Sequence, residues 1–433
     1  MSADPFVAAR RARGRGASIA VVAKISAKLT AFLMAVVLAR ALPVEDYGAF
    51  VLLSTWLLLL MILGVMGLDN AAMRFVAQYA ETGDNMARIA SFHRWAATRI
   101  LVAGSAVAVV AGGVVWALFS DVALISPIVV ATAGATLPLL AYAHFAQFAL
   151  RGFRRVGRAE FVGQIARPAT IIVVVGVATW LAITRQLALA VAALLAGTAL
   201  SAALGRFWLR QSMRHIPAAV PDREDAQLWK RTAFPMLLIT TSHFLLHQLD
   251  VLMLGAMSGA ATVAPYAVAS RLADIVAFAL AAASSIVAPM IAGLYHSGAY
   301  AELNHVLRTA ARWVSGAALV LAVVLILGPV DFLAIFGDQY SAAYPVLVIL
   351  VAGQLLNAFA GPVGFLLSMT GQQMASATIL GTGVVLNAVL NLALIPRYQE
   401  MGAAIATATT ATYWNITMTI YASRKLGLRA TPF

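Results

Sequence analysis

The chain of 433 residues has no cysteine and little charge. Without cysteine there is no disulfide framework, no thiol nucleophile and no thiolate metal site. Nothing in the composition fixes a redox compartment. Asp, Glu, Lys and Arg make up only 11% of the residues, against about 25% in soluble domains. So little charge cannot coat a water-facing surface of this size. Acid is scarcer than base, 17 residues against 30, for a formal charge of +13. A nucleic-acid partner would need that charge gathered on one face of a soluble module with stacking aromatics. Here the basic residues are strewn over the chain, so no nucleic acid is expected. No G-x-x-x-x-G-K-[ST] loop occurs, and Gly14-Arg15-Gly16 is too short and sits in a basic tail. ATP is therefore not expected to drive the chain directly.

What the chain does have is long apolar runs: 62% of residues are hydrophobic and the mean hydropathy is +0.88. Twelve stretches read as bilayer spans, at about 18–42, 48–68, 101–119, 126–150, 161–183, 187–209, 234–257, 263–291, 314–327, 344–369, 375–395 and 402–421. Most approach the ~20 apolar residues that a helix needs to cross the hydrocarbon. They are continuous runs, not ten-residue alternations, which excludes barrel strands. The expected fold is all-α integral membrane, with about twelve transmembrane helices. The first run follows Arg10, Arg11, Arg13 and Arg15 but far exceeds the roughly 7–15-residue core of a signal peptide. It reads as an uncleaved first span.

Basic residues alternate between the two sides of these spans. One side holds the N-terminus, the connections after spans two, four, six and eight, and the C-terminus. The other holds only Arg40, Arg185 and Arg397. The positive-inside rule places the first side, with both termini, in the cytoplasm. The expected division is a basic tail at 1–17, a first lobe of six spans at 18–210, a cytoplasmic linker at 211–231 containing Pro217 and Pro221, a second lobe at 232–424, and a tail at 425–433. The lobes echo one another. Pro43-Val44-Glu45-Asp46-Tyr47-Gly48 leads into span two, and Thr262-Val263-Ala264-Pro265-Tyr266-Ala267 into span eight. Span two runs on to Tyr79 and a Glu-Thr-Gly-Asp turn, span eight to Tyr295 and a His-Ser-Gly turn. Six spans per lobe is an even number, so the repeats are parallel, a transporter arrangement with a site expected between them.

Several motifs carry a family resemblance. Leu38-Ala39-Arg40-Ala41-Leu42-Pro43-Val44-Glu45-Asp46-Tyr47-Gly48 is the first. Asp250-Val251-Leu252-Met253-Leu254-Gly255 with Tyr266-Ala267-Val268-Ala269-Ser270-Arg271-Leu272 is the second. The third comprises Phe336-Gly337-Asp338-Gln339-Tyr340, Leu386-Asn387-Ala388-Val389-Leu390-Asn391, and Gly402-Ala403-Ala404-Ile405-Ala406-Thr407. In order and spacing the chain resembles the multidrug/oligosaccharidyl-lipid/polysaccharide (MOP) exporter superfamily, and within it the Wzx-like polysaccharide flippases. The resemblance implies a transporter, not an enzyme, in the bacterial cytoplasmic membrane. It would carry a polyprenyl-pyrophosphate-linked oligosaccharide for O-antigen, capsule or exopolysaccharide synthesis by alternating access. It would work as a monomer among membrane lipids, beside a polysaccharide polymerase and glycosyltransferases. No cofactor is implied beyond a coupling H+ or Na+. An ion-coupled drug exporter of the same superfamily, a lipid II flippase and a membrane glycosyltransferase or polymerase are the alternatives.

Ionisable residues within spans usually face a bundle interior or water. Lys24 and Lys28 share a face of span one at i,i+4. They either line a cationic cavity that binds a pyrophosphate headgroup or, for Lys24, snorkel to the cytoplasmic surface. Arg271 and Asp274, at i,i+3 in span eight, form either a self-neutralising pair or a headgroup contact. Thr240, His243, His247 and Asp250 fall on one stripe of span seven. They suit proton or sodium coupling through Asp250 and His247, interhelical hydrogen bonding, or a two-histidine metal site that lacks the general base of zinc proteases. Arg74, after Asp69 and Asn70, is a further headgroup candidate. The cluster Arg151, Arg154, Arg155 and Arg158 reads as topological, as does Arg167 beside Pro168. Gln354, Asn357, Asn387 and Asn391 read as helix–helix glue or sugar contacts.

Overall fold

The computed structural model of the chain describes residues 5–82, 86–119, 126–182, 186–214, 216, 222–328, 331–428 and 431. Arg185, Arg429, the turn at Gly83, and Pro217 and Pro221 lie outside them. So do the side chains of Arg10, Arg11, Arg13 and Arg15. Among the described residues there is no strand. Among the described residues eleven helices are long and apolar enough to cross a membrane. The longest runs Gln373–Leu426 and bends at Gln399, where φ 50 and ψ −126 leave the helical region. At ~1.5 Å per residue it is more than twice the ~30 Å of the hydrocarbon core. It therefore carries two spans, which gives the expected twelve and makes the chain a multi-pass membrane protein.

Contacts divide the helices into two compact units, one of Met1–Asp46 and Leu53–Thr241, the other of Tyr47–Leu52 and Ser242–Phe433. The first contains α1 (Pro5–Ala41), most of α2 (Val44–Val65), α3 (Leu68–Thr82), α4 (Met86–Phe119), α5 (Pro127–Gly152), α6 (Val156–Glu160), α7 (Ala166–Trp180) and α8 (Leu187–Ser212). Helix α9 (Arg223–Ser258) starts in the first unit and finishes in the second. The second unit continues with α10 (Ala260–His296), α11 (Tyr300–Leu327), α12 (Tyr344–Phe359), α13 (Val363–Met369) and α14 (Gln373–Leu426).

The first unit packs mainly through α5 against α4 and α8. After α2, Met66 and Gly67 take positive φ and the chain restarts as the amphipathic α3. Leu68, Ala71, Ala72, Phe75, Val76 and Tyr79 are buried on α3 while Met73 and Arg74 are exposed. Helix α4 begins at Met86 and not at the apolar boundary near 101, so Arg88, Arg94 and Arg99 ride on a helix. The region 211–231, expected as a linker, is helical from Arg223. Its Trp229 is fully buried beside Phe92 and Trp95, with ring centroids 5.0 and 5.3 Å away. Trp229 Nε1 donates to the Tyr79 hydroxyl at 3.2 Å, and Arg88 pairs with Asp225 at 3.2 Å.

In the second unit α10 packs on α11 and α12, and α12 on α14. Gly361 (φ 64) and Pro362 split the tenth span into α12 and α13. Large apolar side chains such as Val109 (74% exposed) and Val173 (62%) point away from the protein, as lipid-facing groups do. The exposed Trp180 ends α7, and the exposed Trp313 stands where the apolar part of α11 begins. Both positions suit an interfacial aromatic belt.

Candidate functional site

The one strongly buried acid of the span-seven stripe is Asp250, 6% exposed. Tyr266 on α10 donates its hydroxyl to Asp250 Oδ2, and Thr407 on the second arm of α14 donates to the same oxygen at 3.0 Å. The two hydroxyls lie 3.3 Å apart. Three helices that are remote in sequence thus meet on one carboxylate. No ion pair among the described residues includes it. Two hydroxyl donors do not cancel a full charge in an apolar interior.

The remaining stripe residues lie apart from that contact. His243 and His247 are exposed, with rings 4.7 Å apart. The hydrogen bonds of Asp250 go to Tyr266 and Thr407, not to His247. Thr240 belongs to the first unit, where it accepts from Asn70 Nδ2 at 3.2 Å. Among the described residues no group of three His, Asp or Glu is placed to hold a metal ion. Lys24 and Lys28 are both exposed on α1, and Arg271 and Asp274 are both exposed on α10. Arg271 lies near enough to the Tyr47 hydroxyl, and Asp274 to Asp250, for electrostatic interaction. Arg74 is exposed, its guanidinium 5.8 Å from the Phe75 ring centroid.

In the first unit, buried Asp69 accepts from Asn70 at 3.3 Å and meets His144 Nε2 at 3.2 Å. Two members of the basic cluster have local partners. Arg151 pairs with Glu160 at 2.8 Å and Arg158 donates to Gln211 at 2.7 Å. These contacts fix the α5–α6 corner, whatever the cluster does for topology. Asn357 joins α12 to α14 by accepting from Asn415 Nδ2 at 2.9 Å, whereas Asn387 and Asn391 bond each other within α14. In the second unit an open apolar groove of about 670 Å³ runs between α12 and α14, past Ala352, Leu356, Ala408 and Tyr413. Tyr266 and Thr407 lie inside motifs quoted above, but no spacing in those motifs signals that they converge on Asp250. The signal for His144 was only a polar residue in an apolar span.

Twelve spans in two units, with buried polar clusters inside the helical bundles and no soluble domain among the described residues, define a transporter-type membrane protein. The chain belongs to a family described as polysaccharide biosynthesis proteins, which it matches over residues 14–295. Residues 235–393 also match the MatE family. The fold is that of MOP superfamily transporters. A multidrug resistance MATE family transporter of that superfamily, inward-facing, superposes with a TM-score of 0.72 at 15% identity, covering 93% of this chain and 94% of that one. The lipid II flippase MurJ, inward closed, gives 0.72 at 12% identity over 93% and 87%. A MOP superfamily transporter from Pyrococcus furiosus gives 0.59 at 14% identity over 95% and 93%. None of the curated proteins matches the sequence. The chain is thus a MOP flippase-like protein, and its family and fold relatives are transporters rather than enzymes.

Proposed function

We propose that this protein flips a polyprenyl-pyrophosphate-linked oligosaccharide across the cytoplasmic membrane for surface polysaccharide synthesis. The observation that carries the reading is the match to polysaccharide biosynthesis proteins over 14–295, which spans the first unit from residue 14 onward and the start of the second. The ionisable residues support it. Lys24, Lys28 and Arg271 are exposed within spans against the single exposed acid Asp274 of the candidate residues, while Asp250 is sequestered. That balance favours an anionic headgroup over the cations that a drug exporter takes. The apolar α12–α14 groove suits the isoprenyl chain. Lys24, Lys28, Arg74 and Arg271 would hold the headgroup. Asp250, neutralised by H+ or Na+, would couple the cycle, with His243, His247 and Asp274 nearby in sequence. Both termini would be cytoplasmic.

Deleting the gene should abolish a surface glycan and accumulate its lipid-linked precursor. Arg271→Gln should restore less glycan than the wild-type gene at equal protein level. Intact glycan with no precursor build-up sinks the reading. The MatE match over 235–393 favours a second one, ion-coupled export of small molecules. Drug efflux that depends on this gene, with the glycan unchanged, would select it.

A further inference from the structure

The first unit encloses a cavity of about 200 Å³ among α2, α5, α7, α8 and a π-helical turn at Phe161–Ile165. Such turns in transmembrane helices often mark functional positions. Arg167 lines it. This residue stands about 16 Å along the helix from Val156 at ~1.5 Å per residue. It takes part in none of the ion pairs among the described residues, and no carboxylate lines the cavity. Asp69, the acid that touches the lining residue His144, is engaged by that histidine's Nε2.

Three further lining residues present polar atoms with no partner: Gln147 Nε2, Thr198 Oγ1 and Ser201 Oγ. Their residues are 1%, 0% and 2% exposed. Hydroxyls in this protein's spans commonly donate to the carbonyl one turn back, as Thr136, Thr170 and Thr179 do. Thr198 and Ser201 do not, so their protons are free for something in the cavity. Glycines set the geometry. A Cβ on Gly163 would lie 2.0–2.3 Å from the Gln147 amide, and one on Gly197 only 2.8 Å from the Arg167 carbonyl oxygen. Gly163 thus lets the amide lie against the π-turn, and Gly197 lets α8 press on the backbone that carries Arg167.

We propose that this cavity is an anion site that takes a phosphate-type oxyanion, held by Arg167 with Gln147, Thr198 and Ser201. Arg167 is half-buried, and water alone would satisfy the amide and hydroxyls but leave its guanidinium without a counter-charge inside an apolar helical bundle. A planar guanidinium with neutral donors suits the several oxygens of a phosphate group. The volume equals roughly seven waters at ~30 Å³ each, room for a tetrahedral oxyanion with some hydration and far more than a halide fills. The site lies within one unit and uses none of the residues proposed above for the transported headgroup. The oxyanion could be free phosphate or the headgroup of an anionic lipid.

The test uses the full chain in phosphatidylcholine nanodiscs in phosphate-free buffer, titrated with inorganic phosphate and followed by binding and thermal shift. A parallel sample replaces part of the lipid with phosphatidic acid, and native mass spectrometry reads what is retained. Wild type should show saturable binding in at least one arm. Arg167→Gln should weaken it roughly 10- to 100-fold, the range of a charge-assisted hydrogen bond. Thr198→Val with Ser201→Ala, which keeps the charge, should weaken it several-fold and serves if Arg167→Gln does not fold. Binding in the phosphate arm assigns a free ion, and binding only in the phosphatidic acid arm assigns a headgroup. Failure of wild type to bind in either arm overturns the proposal. So does unchanged affinity in Arg167→Gln or, if that variant does not fold, in the hydroxyl double variant.

Discussion

Replacing Asp250 separates a structural carboxylate from one that carries an ion. Tyr266 and Thr407 both donate to its Oδ2, and all three residues are packed inside the second unit. Asp250→Ala removes the shared acceptor. The two hydroxyls, 3.3 Å apart, can then bond each other, which leaves the half-buried Thr407 hydroxyl without its acceptor at a cost toward the lower end of about 1–3 kcal/mol. Asp250→Asn keeps an acceptor and nearly the same volume while deleting a buried charge, so it should be near neutral or stabilising. The function should follow the opposite order of subtlety. Asn cannot exchange a proton or bind Na+ as a carboxylate does, so both variants should lose gradient-driven transport. The assays are equilibrium unfolding in mixed micelles and substrate movement in proteoliposomes with imposed H+ or Na+ gradients. An Asp250→Ala variant within ~0.5 kcal/mol of wild type would refute the packing argument. Full gradient dependence in Asp250→Asn would refute the coupling role.

Trp229→Ala should cost about 3–5 kcal/mol, as large-to-small changes at fully buried aromatics do. Hydrogen exchange should then rise along the first turns of α9, where Trp229 packs on Phe92, Trp95 and Tyr79. Asn357→Ala should destabilise by about 0.6–1.7 kcal/mol through loss of the α12–α14 hydrogen bond, measured by equilibrium unfolding. Asp331, outside the spans, is held below the ordinary carboxylate range first by the Ser341 hydroxyl at 2.5 Å and then by the backbone N–H groups of Ala334 and Leu333. Because the folded value is depressed, its contribution is complete above the unfolded value of about 4 and fades as pH falls through the lower folded value. Relative to the intrinsic rates at each pH, amide protection across 331–343 should therefore fall below about pH 4 in wild type and stay constant over that range in Asp331→Asn.

The sequence read well where one physical term dominates. Bilayer hydrocarbon demands long apolar runs, so the spans were legible from hydropathy alone. Element ends were less so, because polar amphipathic segments escape that signal. Helices α3 and the starts of α4 and α9 are polar on one face, and only packing shows them to be helical. Pro362 and Gly361 signal the break in the tenth span, and Pro396 with the polar Arg397, Gln399 and Glu400 signals the bend at Gln399.

Composition and periodicity determined the membrane class, the twelve spans and the candidate face of α9, because solvent preference acts on each residue separately. Partnership is a property of three dimensions. Asp250 shared a helical stripe with His247, yet its hydrogen bonds come from α10 and α14. Arg167 looked like one more topological charge, yet it lines a cavity whose other donors come from α5 and α8. No one-dimensional spacing encodes those meetings. At Arg167 the meeting is set by how Gly163 and Gly197 let the helices approach, and at Asp250 by the packing of α9, α10 and α14 around one carboxylate.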